Sequence, residues 1–222
     1  MTKKKVSNCG DIFYLQLKNK EKYVIGRVLF DVEHQFYKNN VDNNNYFDVF
    51  RECQLVEVYD LIFDDLSKIE INETIIPNTF VYRIDSKANQ INWGILDNQI
   101  VQYEKIEFPE VITIVDGVVK LLRGELSIQT KYENTRDFNL RFGAEFPIVI
   151  ANQAAYSQGQ NAIVEGFHSE KSFLKMDLRN FPELRNKVYS ELNLDPEKSY
   201  YELSKEKGFD LARFYEKHCF II

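Results

Sequence analysis

The opening of the chain constrains the fold most, because residues 10–30 carry the pattern of a β-hairpin. Phe13, Leu15 and Leu17 are each separated by one residue, which is the period of a strand with one buried face. A polar turn follows at residues 18–21, and residues 23–30 are typical of the returning strand. Gly26 interrupts this second strand, so we expect a β-bulge or a close backbone approach there.

Further segments rich in β-branched and aromatic residues predict that strands continue along the chain. These candidates are residues 54–63, 79–84, 91–96, 111–115, 118–122 and 126–131. Asp116 and Gly117 lie between two of them, and this dipeptide indicates a two-residue hairpin turn. The Asn-rich residues 39–45 predict a loop, because Asn side chains compete with regular backbone pairing.

The last third of the chain changes character and predicts helices. Helix starts are indicated at Asn180, Ser199 and Asp210, and the first two have a Glu three positions on, as in a capping box. Residues 146–158 are ambiguous, but their composition allows a short helix after Pro147. We therefore predict an α+β fold that is mostly β: a twisted antiparallel sheet or partial barrel with helices concentrated in the C-terminal third.

The chain shows neither an internal repeat nor a Pro-rich linker, and its 222 residues suffice for one substantial core. We therefore predict a single domain over residues 1–222. Within it we expect a flexible N-terminal tail at residues 1–9, a strand-rich core at residues 10–150 and a helical part at residues 175–222.

Charge and cysteine content limit the classes of partner and compartment. The net charge of −6 argues against direct nucleic-acid binding, which needs a basic surface, and favours basic partners. No apolar run follows the N-terminal lysines, so we expect no signal peptide and no membrane association. Cys9, Cys53 and Cys219 are odd in number and widely spaced, which fits a reducing cytoplasm without a disulfide framework.

The usual catalytic signatures are absent from the sequence. It contains no Gly-rich phosphate loop, no Gly-x-Ser-x-Gly elbow, no His-Glu-x-x-His and no Cys-x-x-Cys. The three histidines, His34, His168 and His218, are scattered. We predict no catalytic residue, no metal site and no cofactor. Two alternatives stay open: a metal-assisted hydrolase in which His34 or His168 converges with carboxylates, and a small-barrel module associated with nucleic acid.

Acidic residues concentrate between residues 57 and 73, where Lys68 is the only basic residue. One interpretation is a solvated strand edge and turn, and another is an acidic patch that faces a basic partner. A hydrolase carboxylate pair is a third, although no general acid stands beside it in the sequence. The candidate partner-binding residues are Glu57, Asp60, Asp64, Asp65, Glu70 and Glu73.

The opening residues also resemble a known family. Residues 10–17 (GDIFYLQL), a short polar turn and residues 23–28 (YVIGRV) are similar to the start of the immunity protein 26 family, and residues 208–215 (GFDLARFY) resemble segments of such proteins. The chain departs from the family pattern at Gln16, where Pro is expected, and near Lys20 or Glu21, where Gly is expected.

Members of this family are predicted immunity proteins of bacterial polymorphic toxin systems. The resemblance implies a mostly β, non-enzymatic protein in the cytoplasm of a toxin-producing bacterium. It would bind and neutralise a cognate toxin, and a basic nuclease is a candidate that fits the acidic charge. The family supplies no map of functional residues to transfer, and the oligomeric state is left open.

Overall fold

The computed structural model describes residues 6–17, 22–38, 43–66, 71, 73–89, 91–160 and 173–215. Within these ranges, strands form two antiparallel sheets, one of five strands and one of three, and neither closes into a barrel. The predicted α+β, mostly β fold is confirmed.

The first sheet has the strand order β4-β3-β2-β1-β5. Its strands are β1 (Asp11–Gln16), β2 (Tyr23–Asp31), β3 (Cys53–Phe63), β4 (Thr74–Tyr82) and β5 (Trp93–Asn98). The predicted hairpin of β1 and β2 is confirmed by the pairing of Leu15 with Val24. Strand β4 begins before the predicted residue 79 and includes Pro77. An edge strand accommodates Pro, because its missing N–H can face away from the ladder.

At Gly26 the strands β1, β2 and β3 approach one another closely. The register of β2 against β3 shifts between Val24 and Gly26. A Cβ atom at Gly26 would lie 2.5 Å from Cζ of Phe13 and 2.6 Å from the carbonyl oxygen of Glu57. Both the predicted bulge and the predicted close approach are therefore confirmed.

The second sheet contains β6 (Val111–Val115), β7 (Val118–Arg123) and β8 (Leu126–Gln129) in sequence order. Asp116 and Gly117 join β6 to β7 with φ angles of 52° and 77°. Two consecutive residues with positive φ match the twist of a tight hairpin, and Gly adopts this conformation without a steric cost. The predicted turn is confirmed.

The α-helices are α1 (Pro147–Ser157), α2 (Pro182–Glu191) and α3 (Tyr200–Glu206). The short helix predicted after Pro147 is confirmed as α1. A further six-residue π-helix, Val32–Tyr37, follows β2 directly. Short 3-10 helices lie at Tyr103–Lys105, Leu178–Asn180 and Leu211–Phe214.

The predicted helix starts differ in outcome. The capping box of Ser199 and Glu202 is confirmed at the start of α3. The start predicted at Asn180 was wrong, because Asn180 ends a 3-10 helix and its side-chain amide donates to the carbonyl of Leu174. Helix α2 begins instead at Pro182, which needs no N–H partner in the first turn. Asp210 caps a 3-10 helix by accepting from the N–H of Ala212.

Apolar side chains cover both faces of the first sheet. Helix α1 packs on one face, where Ile150 and Ala154 join Phe13 and Val56 in a buried cluster. The other face carries an aromatic cluster around Phe30, which we call the Phe30 cluster. The ring centroid of Phe30 lies between 5.5 and 5.8 Å from those of Phe47, Phe108 and Phe214.

The two ends of the described chain are held against the first sheet. The hydroxyl of Tyr215 donates to the carbonyl of Leu29 over 2.9 Å, and the amide of Gln35 donates to the carbonyl of Phe214. Near the N-terminus, Ser7 and Cys9 fall within the predicted tail, yet both are buried. The core therefore includes residues from both ends of the described chain.

Candidate functional site

Glu57, the first of the predicted acidic residues, lies inside an ion pair. Its Oε1 atom is 2.8 Å from Nη2 of Arg27 on the neighbouring strand β2. The hydroxyl of Tyr59 donates to the same oxygen over 2.9 Å. The carboxylate of Glu57 is thus neutralised within the protein.

Asp60 and Glu73 lie side by side at one end of the β3–β4 ladder. The backbone N–H of Asp60 donates to the carbonyl of Glu73 over 2.7 Å, and both residues are exposed. Side chains alternate along a strand, so Asp60 projects from the face opposite to that of Glu57. The structure therefore separates Glu57 from the other acidic candidates.

Asp64 and Asp65 follow the last residue of β3 and are exposed. Oδ1 of Asp64 lies 3.4 Å from Nζ of Lys22, and its side chain is 75% exposed. Glu70 lies outside the described residues. We call the exposed group of Asp60, Asp64, Asp65 and Glu73 the β3 acidic end.

A second polar surface lies at the other end of the β3–β4 ladder, where Cys53 pairs with Tyr82. It contains a cavity of about 470 Å³, which we call the Arg83 cavity. Its lining residues are Val6, Glu33, His34, Glu52, Tyr82, Arg83, Asp85, Ser86 and Lys87.

Arg83 forms the floor of this cavity between two carboxylates. Its Nε atom lies 2.9 Å from Oδ1 of Asp85, and its Nη1 atom forms an ion pair with the buried Asp31. Burial opposes the charge of Arg83, but the hydrogen bonds and charges of Asp85 and Asp31 outweigh this effect and raise its pKa. The guanidinium is therefore fixed in place and its charge is balanced.

Asp31 connects this floor to the sheet. It accepts hydrogen bonds of 2.9 Å from the side-chain amide of Gln54 on β3 and from the backbone N–H of His34. The Gln54 side chain also donates to the hydroxyl of Ser7 over 2.9 Å. These bonds fix the geometry of Arg83, because its partner Asp31 is itself held by β3 and by the π-helix.

His34 stands beside this network. Its Nδ1 atom lies 3.1 Å from Oδ2 of Asp31 and 2.9 Å from Nη1 of Arg83. The hydrolase alternative expected His34 or His168 to converge with acidic residues. His34 contacts the carboxylate of Asp31 directly and lines the Arg83 cavity together with Glu33, Glu52 and Asp85. His168 lies outside the described residues. The described part of the chain holds no group of three or more His, Cys, Asp or Glu side chains that could bind a metal ion.

One aromatic residue, Tyr82, lines the Arg83 cavity and belongs to an exposed aromatic pair. Tyr82 at the end of β4 stacks on Phe146, the residue before α1, with ring centroids 4.8 Å apart. Tyr82 is 37% exposed and Phe146 is 49% exposed. The backbone N–H of Tyr82 donates to the carbonyl of Glu145, which brings the two rings together.

Sequence reasoning missed the Arg83 cavity. Asp31, Gln54 and Arg83 are far apart in the sequence, and only the registers of β2, β3 and β4 bring them together. The only sequence signal for this cavity was a polar residue at or next to the end of each otherwise apolar strand. Such a residue is a weak indication of a site on its own.

In the ranges that the structure covers, no helix has the length and apolar character needed to cross a bilayer. A model of the immunity protein 26 family matches residues 8–119. The matched segment holds the whole first sheet together with Asp31, Gln54 and Arg83. No curated protein and no solved structure gives a match to the chain. Because the match covers half of the chain, this protein belongs to the immunity protein 26 family.

Proposed function

We propose that this protein binds a cognate toxin of a bacterial polymorphic toxin system in the cytoplasm and neutralises it in a stoichiometric complex. Membership of the immunity protein 26 family is the observation that carries this proposal. In this proposal the protein acts as an inhibitor and performs no catalysis.

The charge distribution supports the proposal that the bound toxin is basic, as a nuclease is. The protein has a net charge of −6, and the β3 acidic end exposes four carboxylates, of which Asp64 pairs with Lys22. A nuclease binds phosphates through a basic surface, and an acidic inhibitor is electrostatically complementary to such a surface. The complex would cover the active site or the substrate channel of the toxin.

The decisive experiment is a toxicity rescue. The gene immediately upstream is expressed in a host that lacks this protein, with and without this chain supplied. We expect death without the chain, survival with it, and a one-to-one complex in size-exclusion chromatography. A harmless neighbour, or a chain that neither rescues nor binds, would overturn the proposal.

The β3 acidic end is our proposed contact for long-range attraction, and charge reversal tests it. Asp64→Lys combined with Asp65→Lys should lower the association rate about tenfold at low salt, because exposed charges at an interface act mainly on encounter. Glu133→Lys with Asp137→Lys is the matched control, since both residues are exposed in the loop after β8. An association rate equal to that of the control would remove Asp64 and Asp65 from the contact.

A further inference from the structure

The Arg83 cavity presents carboxylates that the protein itself leaves available. Glu33 and Glu52 are exposed on its walls, and among the residues that the structure describes neither side chain has an ion-pair partner. Asp85 also lines the cavity and pairs with Arg83, which pairs in addition with the buried Asp31. The lining thus holds three carboxylates, Glu33, Glu52 and Asp85, against the two cations Arg83 and Lys87, so the cavity favours a positively charged group.

The rim of the cavity adds the apolar component that a specific contact requires. Val6 is 40% exposed, and the stacked rings of Tyr82 and Phe146 are exposed to a similar degree. Aromatic residues are enriched among the residues that carry most of the binding energy at protein interfaces. An exposed aromatic stack beside free carboxylates therefore has the composition of an anchor pocket.

We propose that the Arg83 cavity receives an arginine side chain of the cognate toxin. This inference rests on the proposed function and adds to it the chemistry of the partner's anchoring residue. A guanidinium is planar, so it can stack on Tyr82 while its forked N–H groups donate to Glu33 and Glu52. A lysine ammonium cannot make both contacts in the same way.

The size and rigidity of the cavity suit this occupant. A volume of about 470 Å³ accommodates one long side chain together with ordered water. The hydrogen bonds from Gln54 and the His34 backbone hold Asp31, and Asp31 holds Arg83. A pocket that is already in its binding geometry loses little conformational entropy when the partner arrives.

The Arg83 cavity and the β3 acidic end are separate sites that predict different kinetics. They lie at opposite ends of β3, which at about 3.3 Å per residue places them roughly 30 Å apart. A standard interface covers about 800 Å² per partner, so an interface centred on the cavity reaches the acidic end only at its margin. The cavity should control the dissociation rate, and the acidic end the association rate.

Two charge-matched double variants test the inference against purified toxin. Glu33→Gln with Glu52→Gln removes two charges at the cavity, and Asp64→Asn with Asp65→Asn removes two at the acidic end. We expect the first pair to raise Kd about tenfold to a hundredfold, mainly through faster dissociation, and the second to raise it less than about threefold at physiological salt. All four residues are exposed, so the melting temperature should not change.

Further variants identify the occupant. Tyr82→Ala should also raise Kd about tenfold, because it removes the ring of the cavity wall on which the guanidinium would stack. The arginines of the toxin are then replaced by Ala one at a time. For one of these toxin variants, Glu33→Gln with Glu52→Gln should cause no further loss of affinity. A double-mutant cycle requires this result of two groups in direct contact.

The outcomes separate the inference from the proposed function. A wild-type chain that does not bind the toxin would overturn both. A wild-type chain that binds, with Glu33→Gln and Glu52→Gln within about twofold of its Kd, would overturn the anchor pocket alone. Lys3, Lys4 and Lys5 precede Val6 in the sequence, so the same pair is repeated with these lysines changed to Gln. If Glu33→Gln with Glu52→Gln no longer raises Kd once the three lysines are replaced, the cavity binds the protein's own lysines, and the inference is overturned.

Discussion

Glu110 and Arg185 form a bidentate ion pair that joins the family-matched segment to the C-terminal helices. Nε of Arg185 lies 2.8 Å from Oε2 of Glu110, and Nη2 lies 3.0 Å from Oε1. The carboxylate is fully buried, and the hydroxyl of Tyr189 donates to it over 2.8 Å. Glu110 immediately precedes β6, whereas Arg185 and Tyr189 belong to α2.

Arg185→Met should therefore destabilise the protein by about 3 kcal/mol, because a buried carboxylate loses its bidentate partner. Urea unfolding followed by circular dichroism measures this loss. Lys198→Met is the control, since its ion pair with Glu206 joins exposed side chains and solvent screening leaves it with little effect on stability. Equal losses for the two variants would contradict the structural role of the Glu110 pair.

Gly26→Ala should destabilise the protein by about 1–3 kcal/mol, the usual cost of forcing extra volume into a packed interior. The added methyl group would meet the ring of Phe13 and the backbone of Glu57, and the backbone cannot move without breaking the β2–β3 ladder. Gly143→Ala provides the comparison, because a Cβ atom at Gly143 would meet no other atom within 4 Å. Thermal unfolding measures the stability of both variants. A Gly26→Ala protein as stable as Gly143→Ala would refute the prediction.

Ser199→Ala should lower the free energy of unfolding by about 1 kcal/mol. The Ser199 hydroxyl accepts from the N–H of Glu202, and the Glu202 side chain accepts from the N–H of Ser199, so the substitution leaves a backbone donor of α3 without its cap. Ser190→Ala, at an exposed position in α2, should change the stability by less than about 0.5 kcal/mol. The prediction fails if the two substitutions have the same effect in urea unfolding.

Buried tyrosines should make the protein unfold cooperatively at high pH. Burial raises the pKa of Tyr189 from 10.0 to about 12, and it also raises the pKa values of Tyr46 and Tyr200. The unfolded state then releases these protons first, so stability is complete below pH 10 and declines as the pH rises towards the folded pKa values. Each such group contributes a slope of about 1.4 kcal/mol per pH unit within this window.

Tyrosinate absorbance and circular dichroism, recorded together against pH, test this expectation. Exposed tyrosines should titrate first without loss of structure, and the buried ones should ionise only as the sheet signal disappears. Complete ionisation near pH 10 with an unchanged circular dichroism spectrum would show that these hydroxyls are accessible.

Local patterns explain why most strands were predictable from the sequence. The two-residue period of Phe13, Leu15 and Leu17 reflects one buried face, and the Asp116–Gly117 turn is specified by its own residues. The position of Gly26 was likewise informative, because a strand glycine usually marks a steric restriction. These features depend on neighbours within a few residues.

Features that depend on long-range register were not predictable. The capping pattern at Asn180 was overridden because Pro182 begins α2 and Asn180 bonds to Leu174 instead. The acidic stretch was predicted as one group, but strand alternation places Glu57 and Asp60 on opposite faces of β3. The Arg83 cavity needs the β2–β3 and β3–β4 registers at once, and no local pattern encodes them.

The contacts of Phe214 and Tyr215 with Leu29, Phe30 and Gln35 have a consequence for the timing of folding. During synthesis the chain emerges from its N-terminus, so the hairpin of β1 and β2 exists long before its last partners are made. Contacts that span more than 170 residues also close slowly, because a long loop must be ordered first. Under the proposed function, only chains that have made these late contacts would neutralise the toxin, so we expect a supply of this protein made ahead of the toxin to protect the cell better than one made with it.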